Sequence, residues 1–198
     1  MKIIVIILAV IFLSVVMVQI FAMRSRTRIE SYPFTVLKSF SKFEIRAYEA
    51  RLFAAVELPT SEYEKASGRG FSILANYIFG GNKANEKISM TSPVAMSLAD
   101  SMSVMFMVPK YMKKENLPEP DQSDIEFREE PAKTVAAISF GGWANSNKIA
   151  KHKHKLISAL DAEGIAYKNR FYFLGYNPPY DLLNRKNEII VELEKSHW

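Results

Sequence analysis

The N-terminal stretch of the chain is its most apolar part. From Ile3 to Met23 no residue is charged, and at about 1.5 Å per helical residue these residues span roughly 31 Å, the thickness of a bilayer's hydrocarbon core. A cleaved export signal has a shorter apolar run and a cleavage site of small residues, which residues 19–24 lack. The pattern predicts an uncleaved single-pass transmembrane anchor over residues 1–23, with a cleaved export signal as the alternative.

A basic juxtamembrane segment, residues 24–31, follows the apolar run. It contains Arg24, Arg26 and Arg28, which outnumber the single Lys2 on the other side. The positive-inside tendency favours a domain on the cytoplasmic face. A short N-terminal tail is also compatible with the reverse insertion, so the sequence leaves the orientation open.

Residues 32–198 show the periodicities of a domain of helices and strands. Apolar and polar side chains alternate over residues 43–58, which predicts two half-buried strands. A helix should follow, capped by Ser61 and Glu64 and ended by the glycines at 80 and 81. Residues 104–108 then form an apolar run that predicts a buried strand.

The second half of the domain repeats this plan. Residues 43–58 align without gaps on residues 125–140 at an offset of 82, and a helix at about 147–163 is followed by strands at 171–176 and 188–193. This register suggests an internal duplication.

The predicted fold class is therefore α+β. Two β-α-β-β repeats, about residues 32–112 and 124–194, are expected to form a curved sheet or distorted β-barrel flanked by two helices and preceded by one N-terminal transmembrane helix.

Composition removes several classes of function. The net charge of +5 lies partly in the membrane-flanking arginines, so the domain has no excess of positive charge that would indicate nucleic-acid binding. The absence of cysteine excludes disulfides, thiolate nucleophiles and cysteine-ligated metals. No G-x-S-x-G motif occurs, and the glutamates of the last strand are interpreted as ordinary surface charges. We therefore predict that the chain is not an enzyme.

The three histidines do not form a metal site in this pattern. His152 lies beside an apolar helical stripe, His154 falls on the opposite, lysine-rich side, and His197 lies near the C-terminus. Chelation by one helix needs i, i+4 spacing, which His152 and His154 lack. We predict a structural role for His152 and no metal ligand.

Six segments of the chain resemble the SOUL/heme-binding protein family. In chain order they are FEIRAYE (43–49), ANYIFGGN (75–82), KISMTSPV (87–94), SFGGWA (139–144), GYNPP (175–179) and NRKNEIIVEL (184–193). They occur in the family's order and are spread over most of residues 32–198, which are identified as a SOUL-like heme-binding domain. The resemblance implies two β-α-β-β repeats in a distorted barrel. It also implies non-enzymatic binding of heme or a related tetrapyrrole in a shallow apolar cleft beside the first helix.

The first helix has side chains that suit such a ligand. A porphyrin is a flat apolar disc with two carboxylates, so its site needs an apolar wall and cations at one edge. The predicted contacts, all on this helix, are Lys65, Arg69, Phe71, Leu74, Ala75 and Ile78. The alternative for the apolar members is that they pack on the sheet as core. Because the helix contains no histidine, we expect a heme or other porphyrin that is held non-covalently and without an axial histidine.

Two departures from the family pattern keep a second function open. Asn76 stands where some vertebrate members carry lysine, and Asp181 follows the double proline where a basic residue occurs in others. The alternative function is a membrane-tethered protein-interaction module on the same fold, with an unknown partner and no tetrapyrrole. Six methionines between Met90 and Met112 are interpreted as core filling, with a soft, ligand-adaptable pocket as the alternative.

Overall fold

The computed structural model describes residues 2–26, 29–178, 181–182 and 184–194. Its helices are α1 (Lys2–Arg26), α2 (Tyr63–Ile78) and α3 (Ser146–Ala162), with a 3-10 turn at Lys114–Asn116. Its strands are β1 (Glu30–Ser31), β2 (Phe34–Ser39), β3 (Glu44–Tyr48), β4 (Arg51–Leu58), β5 (Thr91–Ser92), β6 (Val94–Ser97), β7 (Met102–Met107), β8 (Ile125–Glu130), β9 (Lys133–Gly141), β10 (Tyr167–Gly175) and β11 (Lys186–Leu193).

The apolar helix α1 is long and apolar enough to cross a membrane, and the described side chains of Lys2–Gln19 are almost entirely exposed. A signal sequence near an N-terminus has the same properties, so both alternatives for residues 1–23 remain. Arg28, Pro179 and His197, together with the side chains of Arg24 and Arg26, lie outside the described part of the chain.

Nine strands form one antiparallel sheet in the order β2-β3-β9-β11-β10-β6-β7-β4-β8, and β1 and β5 form a separate parallel pair. Among the described residues the outer strands β2 and β8 do not pair with each other. The predicted distorted barrel is therefore observed as a curled half-barrel that is open between these two strands.

The two halves of the domain have the same order of elements along the chain. Strands β3 and β4, helix α2 and strands β6 and β7 are followed by β8 and β9, α3, β10 and β11. Exchanging the halves leaves the spatial order of these eight strands unchanged. The ion pair of Glu44 with Arg46 also has a counterpart in Glu126 with Arg128. This order is compatible with an internal duplication, which stays a prediction.

Both faces of the sheet are covered by apolar side chains. Because successive strand residues point to opposite faces, Ile189 and Val191 on β11 join the core beneath α2 and α3, whereas Ile190 joins a second core. Tyr32 and Phe34, from the segment that follows α1, pack on this second core. The middle of the face opposite the helices is therefore buried rather than solvated, whereas its edge at β8 exposes Glu126.

The predicted capping box at the start of α2 is wrong. The N-cap residue is Glu62, whose side chain makes no capping hydrogen bond. The carboxylate of Glu64 accepts hydrogen bonds from the backbone N–H of Ser146, at 2.8 Å, and from the Ser146 hydroxyl. A contact between the first turns of the two helices thus replaces the local cap.

Candidate functional site

A cleft of about 400 Å³ lies between α2, the ends of β6 and β10, and two loops. Its volume falls in the range of about 300–1,000 Å³ that is typical of small-molecule sites. Its lining residues are Tyr63, Ser67, Gly68, Phe71 and Ser72 on α2, Val94, Met96, Phe173 and Gly175 on β6 and β10, Trp143 and Ala144 between β9 and α3, and Asn177, Arg185 and Asn187 at the β10–β11 connection.

Aromatic rings form the walls of this cleft. The ring of Tyr63 meets that of Phe173 edge-on, with centroids 5.1 Å apart, and Phe71 meets Phe106 in the same way at 5.4 Å. Trp143 stands at the mouth and is 51% exposed. These edge-to-face contacts fix the ring orientations and leave a largely apolar surface for a flat ligand.

Two glycines of α2 shape the cleft from opposite sides of the helix. A Cβ on Gly70 would lie 2.4 Å from Cγ2 of Val104, so this glycine allows α2 to lie close against β7. A Cβ on Gly68 would have no atom within 4 Å, because this residue faces the cleft. The helix is therefore pressed onto the sheet while the cleft stays open.

Arg185 places a positive charge beside the aromatic walls. Its guanidinium lies 3.9 Å from the centroid of the Trp143 ring. It also donates hydrogen bonds to the backbone oxygens of Pro178, at 3.0 Å, and Asp181, at 2.7 Å. Asp181 is buried, and its carboxylate accepts a hydrogen bond from the side chain of Asn177 at 2.7 Å. The β10–β11 loop is thus organised around Arg185, and Asp181 has a structural role in that loop.

Tyr63 is the titratable phenol of the cleft. Burial raises its pKa above the ordinary value, and the charge of Glu64 acts in the same direction, against the opposing charge of Arg185 and a hydrogen bond with Ser67. The hydroxyl is therefore protonated at neutral pH and available as a donor. Among the described residues that line the cleft there is no histidine, and Met96, with its thioether, is buried.

The apolar residues predicted on α2 divide between the cleft and the core. Phe71 lines the cleft, whereas Leu74 and Ile78 are buried beneath the helix at 0% and 4% exposure, and Ala75 is half-buried outside the lining. At about 100° per residue these residues share one stripe of α2, and they differ in their place along the helix. Tyr63 and Phe71 lie in the N-terminal part, which borders the cleft, whereas Leu74 and Ile78 lie in the C-terminal part, which packs on the core. The structure therefore brings Phe71 together with residues from distant segments.

The two cations predicted on α2 lie outside the cleft lining. Lys65 is exposed and forms an ion pair with Glu62 at 2.8 Å, and Arg69 is exposed on the outer side of the helix. The cation that does line the cleft, Arg185, was missed, as were Trp143 and Phe173. Trp143 and Arg185 lie within the SFGGWA and NRKNEIIVEL segments, so the family resemblance was the signal that could have identified both residues.

A second polar cluster lies on the face of the sheet away from the helices. Glu188 is fully buried and accepts two hydrogen bonds from Arg46, at 2.9 and 3.0 Å. It also accepts hydrogen bonds from the hydroxyls of Tyr176, at 2.6 Å, and Ser139, at 2.8 Å. The interpretation of the last strand's glutamates as ordinary surface charges is therefore wrong for Glu188.

The cluster holds Glu188 in its charged form. Burial by itself raises the pKa of this carboxyl, but the hydrogen bonds from Arg46 and Tyr176 and the charge of Arg46 outweigh burial, so the pKa lies below its ordinary value. Arg46 also stacks on the ring of Phe34, 4.3 Å from its centroid. This arrangement joins β3, β11 and the segment after α1.

His152 packs as a structural residue of α3. It is half-buried, its ring stacks on Phe140 with centroids 4.1 Å apart, and its Nδ1 lies 2.7 Å from the backbone oxygen of Lys148. Across the described ranges, no group of three or more histidine or acidic side chains is arranged to hold a metal ion.

A half-barrel with an aromatic cleft beside one of its helices has the architecture of a small-molecule-binding domain. The profile of the family described as "SOUL heme-binding protein" matches residues 29–192. The chain therefore belongs to the SOUL heme-binding protein family, as the resemblance predicted.

Named relatives extend this result. "Heme-binding protein 1" of Xenopus laevis is 29% identical over 156 residues, covering 74% of this chain and 81% of the relative. The Bos taurus protein of the same name is 29% identical over 174 residues, covering 81% and 90%, respectively. "Heme-binding protein 2" of Homo sapiens is 28% identical over 156 residues, covering 74% and 76%.

Solved structures share the fold at low sequence identity. The C-terminal domain of EcmrR has a TM-score of 0.61 at 12% identity and covers 78% of this chain and 98% of that domain. A structure described as a hydrolase from Listeria innocua has a TM-score of 0.55 at 11% identity, covering 80% and 94%. These likenesses concern the fold alone.

Proposed function

We propose that this protein binds heme or a related tetrapyrrole non-covalently and without catalysis, as a carrier, buffer or sensor at a membrane. Residues 1–23 would serve as the anchor, residues 24–31 as a basic juxtamembrane segment, and residues 32–198 as the binding domain, on the cytoplasmic face. The observation that carries the proposal is the aromatic cleft beside α2 in a chain whose relatives are named heme-binding proteins.

Apolar contact supplies most of the binding free energy in this proposal. Tyr63, Phe71 and Phe173 present rings and apolar edges to one face of a macrocycle, and Trp143 covers its rim. Burying about 500 Å² at roughly 25 cal/mol per Å² gives about 12 kcal/mol before the cost of association is subtracted. With that cost at its low end, about 4 kcal/mol, about 8 kcal/mol remains, which corresponds to micromolar binding without a bond to iron.

Cations at the cleft favour a ligand that carries carboxylates. Arg185 lies in the lining, and Lys65 and Arg69 are exposed on α2 outside the lining. Their long side chains are proposed as contacts for carboxylates that extend beyond the cleft. Leu74, Ala75 and Ile78 are proposed to hold α2 and Phe71 in place from behind.

The test is a titration of the full chain in detergent micelles with hemin and, separately, with metal-free protoporphyrin, with empty micelles as the blank. We expect saturable spectral shifts at about one equivalent for both ligands. Phe71→Asp should weaken binding at least about tenfold, since it places a charge in an apolar wall. Phe79→Asp is the matched control, because Phe79 lies just beyond α2, is 64% exposed and does not line the cleft.

Absence of saturable binding to both ligands would refute the proposal. Equal losses of affinity in Phe71→Asp and Phe79→Asp would show that the cleft is not the binding site. His152→Ala should leave hemin affinity nearly unchanged, because His152 stacks on Phe140 and does not line the cleft. A bis-histidine heme spectrum that disappears in His152→Ala would move the site to α3.

The second candidate function is a membrane-tethered protein-interaction module without a tetrapyrrole. It is favoured by Asn76, which is exposed on α2 where some family members carry a lysine. A stoichiometric partner captured without hemin, together with no binding of hemin or protoporphyrin, would support this function over the first.

A further inference from the structure

The β10–β11 loop touches both the cleft and α1. Arg185, at one end of this loop, lines the cleft. At Leu182, the backbone N–H donates a hydrogen bond of 3.1 Å to the side-chain oxygen of Gln19 on α1. The loop that carries Arg185 into the cleft lining therefore also contacts the apolar helix.

The position of Gln19 along α1 sets the depth of this contact. The uncharged run Ile3–Met23 spans roughly 31 Å as a helix, and Gln19 lies four residues, about 6 Å, before its end. If α1 crosses a membrane with this run in the hydrocarbon core, Leu182 lies within about 6 Å of the boundary between hydrocarbon and headgroups.

The exposed side chains around the mouth suit that boundary. Leu182 is 54% exposed, and Trp143, whose ring lies against the Arg185 guanidinium, is 51% exposed. Tryptophan is enriched at the membrane interface because its ring is apolar while its N–H is polar, and a nearby cation suits lipid phosphates. Single exposed apolar residues are common on any surface, so the exposure of Trp143 and Leu182 alone does not indicate a membrane contact. The hydrogen bond between Leu182 and α1 is the observation that does.

We propose that the mouth of the cleft opens at the bilayer interface and exchanges an amphiphilic ligand directly with the lipid phase. The lipid surface is the partner, and Trp143 and Leu182 are the residues that enter it. This inference rests on the proposed function for the identity of the ligand and for the anchor. A tetrapyrrole with an apolar ring and two carboxylates partitions to the same depth, so the cleft would meet it there at high local concentration.

The experiment measures the depth of Trp143 without any ligand. The chain has two tryptophans, so Trp198→Phe leaves Trp143 as the sole emitter of the full chain in phosphatidylcholine nanodiscs. Lipids brominated near the headgroup end of the acyl chain should lower its emission about twofold relative to unbrominated lipid, as expected for an interfacial ring. Lipids brominated near the chain end should quench it less.

The matched control moves the tryptophan to a site away from the mouth. The variant Trp143→Phe, Trp198→Phe, Phe79→Trp carries its indole at an exposed residue outside both the cleft and the β10–β11 loop. We expect little quenching there. Equal quenching at the two sites, or none at Trp143, overturns the inference, as does a chain that fails to insert into nanodiscs.

The result is independent of the hemin titration. An unquenched Trp143 in a chain that still binds hemin in micelles refutes the interfacial mouth alone. A quenched Trp143 in a chain that binds neither hemin nor protoporphyrin refutes the proposed function and leaves the membrane contact standing.

Discussion

The buried pair of Arg46 and Glu188 allows a quantitative test of what holds the half-barrel together. Arg46 is 4% exposed and Glu188 is 0% exposed, and two hydrogen bonds join them. Removing one member leaves a buried charge without its main partner, which typically costs about 3–5 kcal/mol. Both would retain weaker partners, since Glu188 keeps Lys186 at 3.1 Å and Arg46 keeps Glu44 at 2.7 Å. We therefore expect each of Arg46→Met and Glu188→Met to cost about 3 kcal/mol, the lower end of this range.

The double variant measures the interaction between Arg46 and Glu188 separately from the cost of each substitution. Replacing both residues by methionine removes both charges together, so it should cost no more than either single change, which implies a coupling of about 3 kcal/mol. The assay is urea unfolding of the full chain in micelles, followed by tryptophan emission. In thermal scans the single variants should unfold roughly 6–12 °C lower, at about 2–4 °C per kcal/mol for a domain of this size.

The chain supplies its own control for this cycle. Arg128 corresponds to Arg46 at the offset of 82 residues and pairs with Glu126, the counterpart of Glu44, but the side chains of Arg128 and Glu126 are 35% and 57% exposed. Changing either should cost less than about 1 kcal/mol, as for ordinary surface pairs. Equal costs for the two pairs, or additive costs for Arg46 and Glu188, would show that burial does not set the strength of the interaction.

Two further predictions concern acid stability and the packing of α2. Because the pKa of Glu188 is lower in the folded protein than its ordinary value of 4.5, its contribution is complete above that pH and is lost as the pH falls through the folded pKa. Unfolding midpoints should therefore drop more steeply below about pH 4.5 in the parent chain than in Glu188→Met, and parallel slopes would contradict this. Gly70→Ala should lower stability by about 1–3 kcal/mol because its Cβ collides with Val104, whereas Gly68→Ala, measured in the same urea titrations, should be neutral or stabilise by up to about 1 kcal/mol. A larger loss from the Gly68 change than from the Gly70 change would contradict the packing described for α2.

Local pattern predicts the elements of this fold better than their assembly. Helix α3 is predicted at about 147–163 and observed at Ser146–Ala162. The prediction is close because amphipathic spacing and a terminal glycine are properties of the segment itself. The start of α2 was mispredicted, because Glu64 binds Ser146, 82 residues away, instead of its own helix terminus. The opening between β2 and β8 likewise depends on pairings between distant strands, which periodicity does not encode.

The site shows the same division between local and long-range information. Phe71 was predicted because it belongs to an apolar helical stripe, but the stripe does not reveal which part of its length packs on the sheet and which part borders a cleft. Glu188 was misassigned for a related reason. Alternation places it on the face opposite Ile189 but does not say whether that face is covered, and Tyr32 belongs to the core that covers it. The apolar Ile190 on the same strand was the signal that a second core exists.

The cleft beside α2 has a counterpart beside α3, and residues at the offset of 82 explain why the two differ. The counterpart is a depression of about 310 Å³ next to the β6–β7 connection. The corresponding lining positions are Ser67 and Ile149, Gly68 and Ala150, Phe71 and Lys153, and Trp143 and Ser61. Where the first cleft has the ring of Phe71, the second has an ammonium group, 4.4 Å from the ring centroid of Phe171. The loop over it is also short, residues 98–101, against residues 176–185 at the first cleft. At the second position a planar apolar ligand would lack the wall that Phe71 forms and the rim that Trp143 and the longer loop form. We therefore expect one ligand per chain, although the strand order is symmetric.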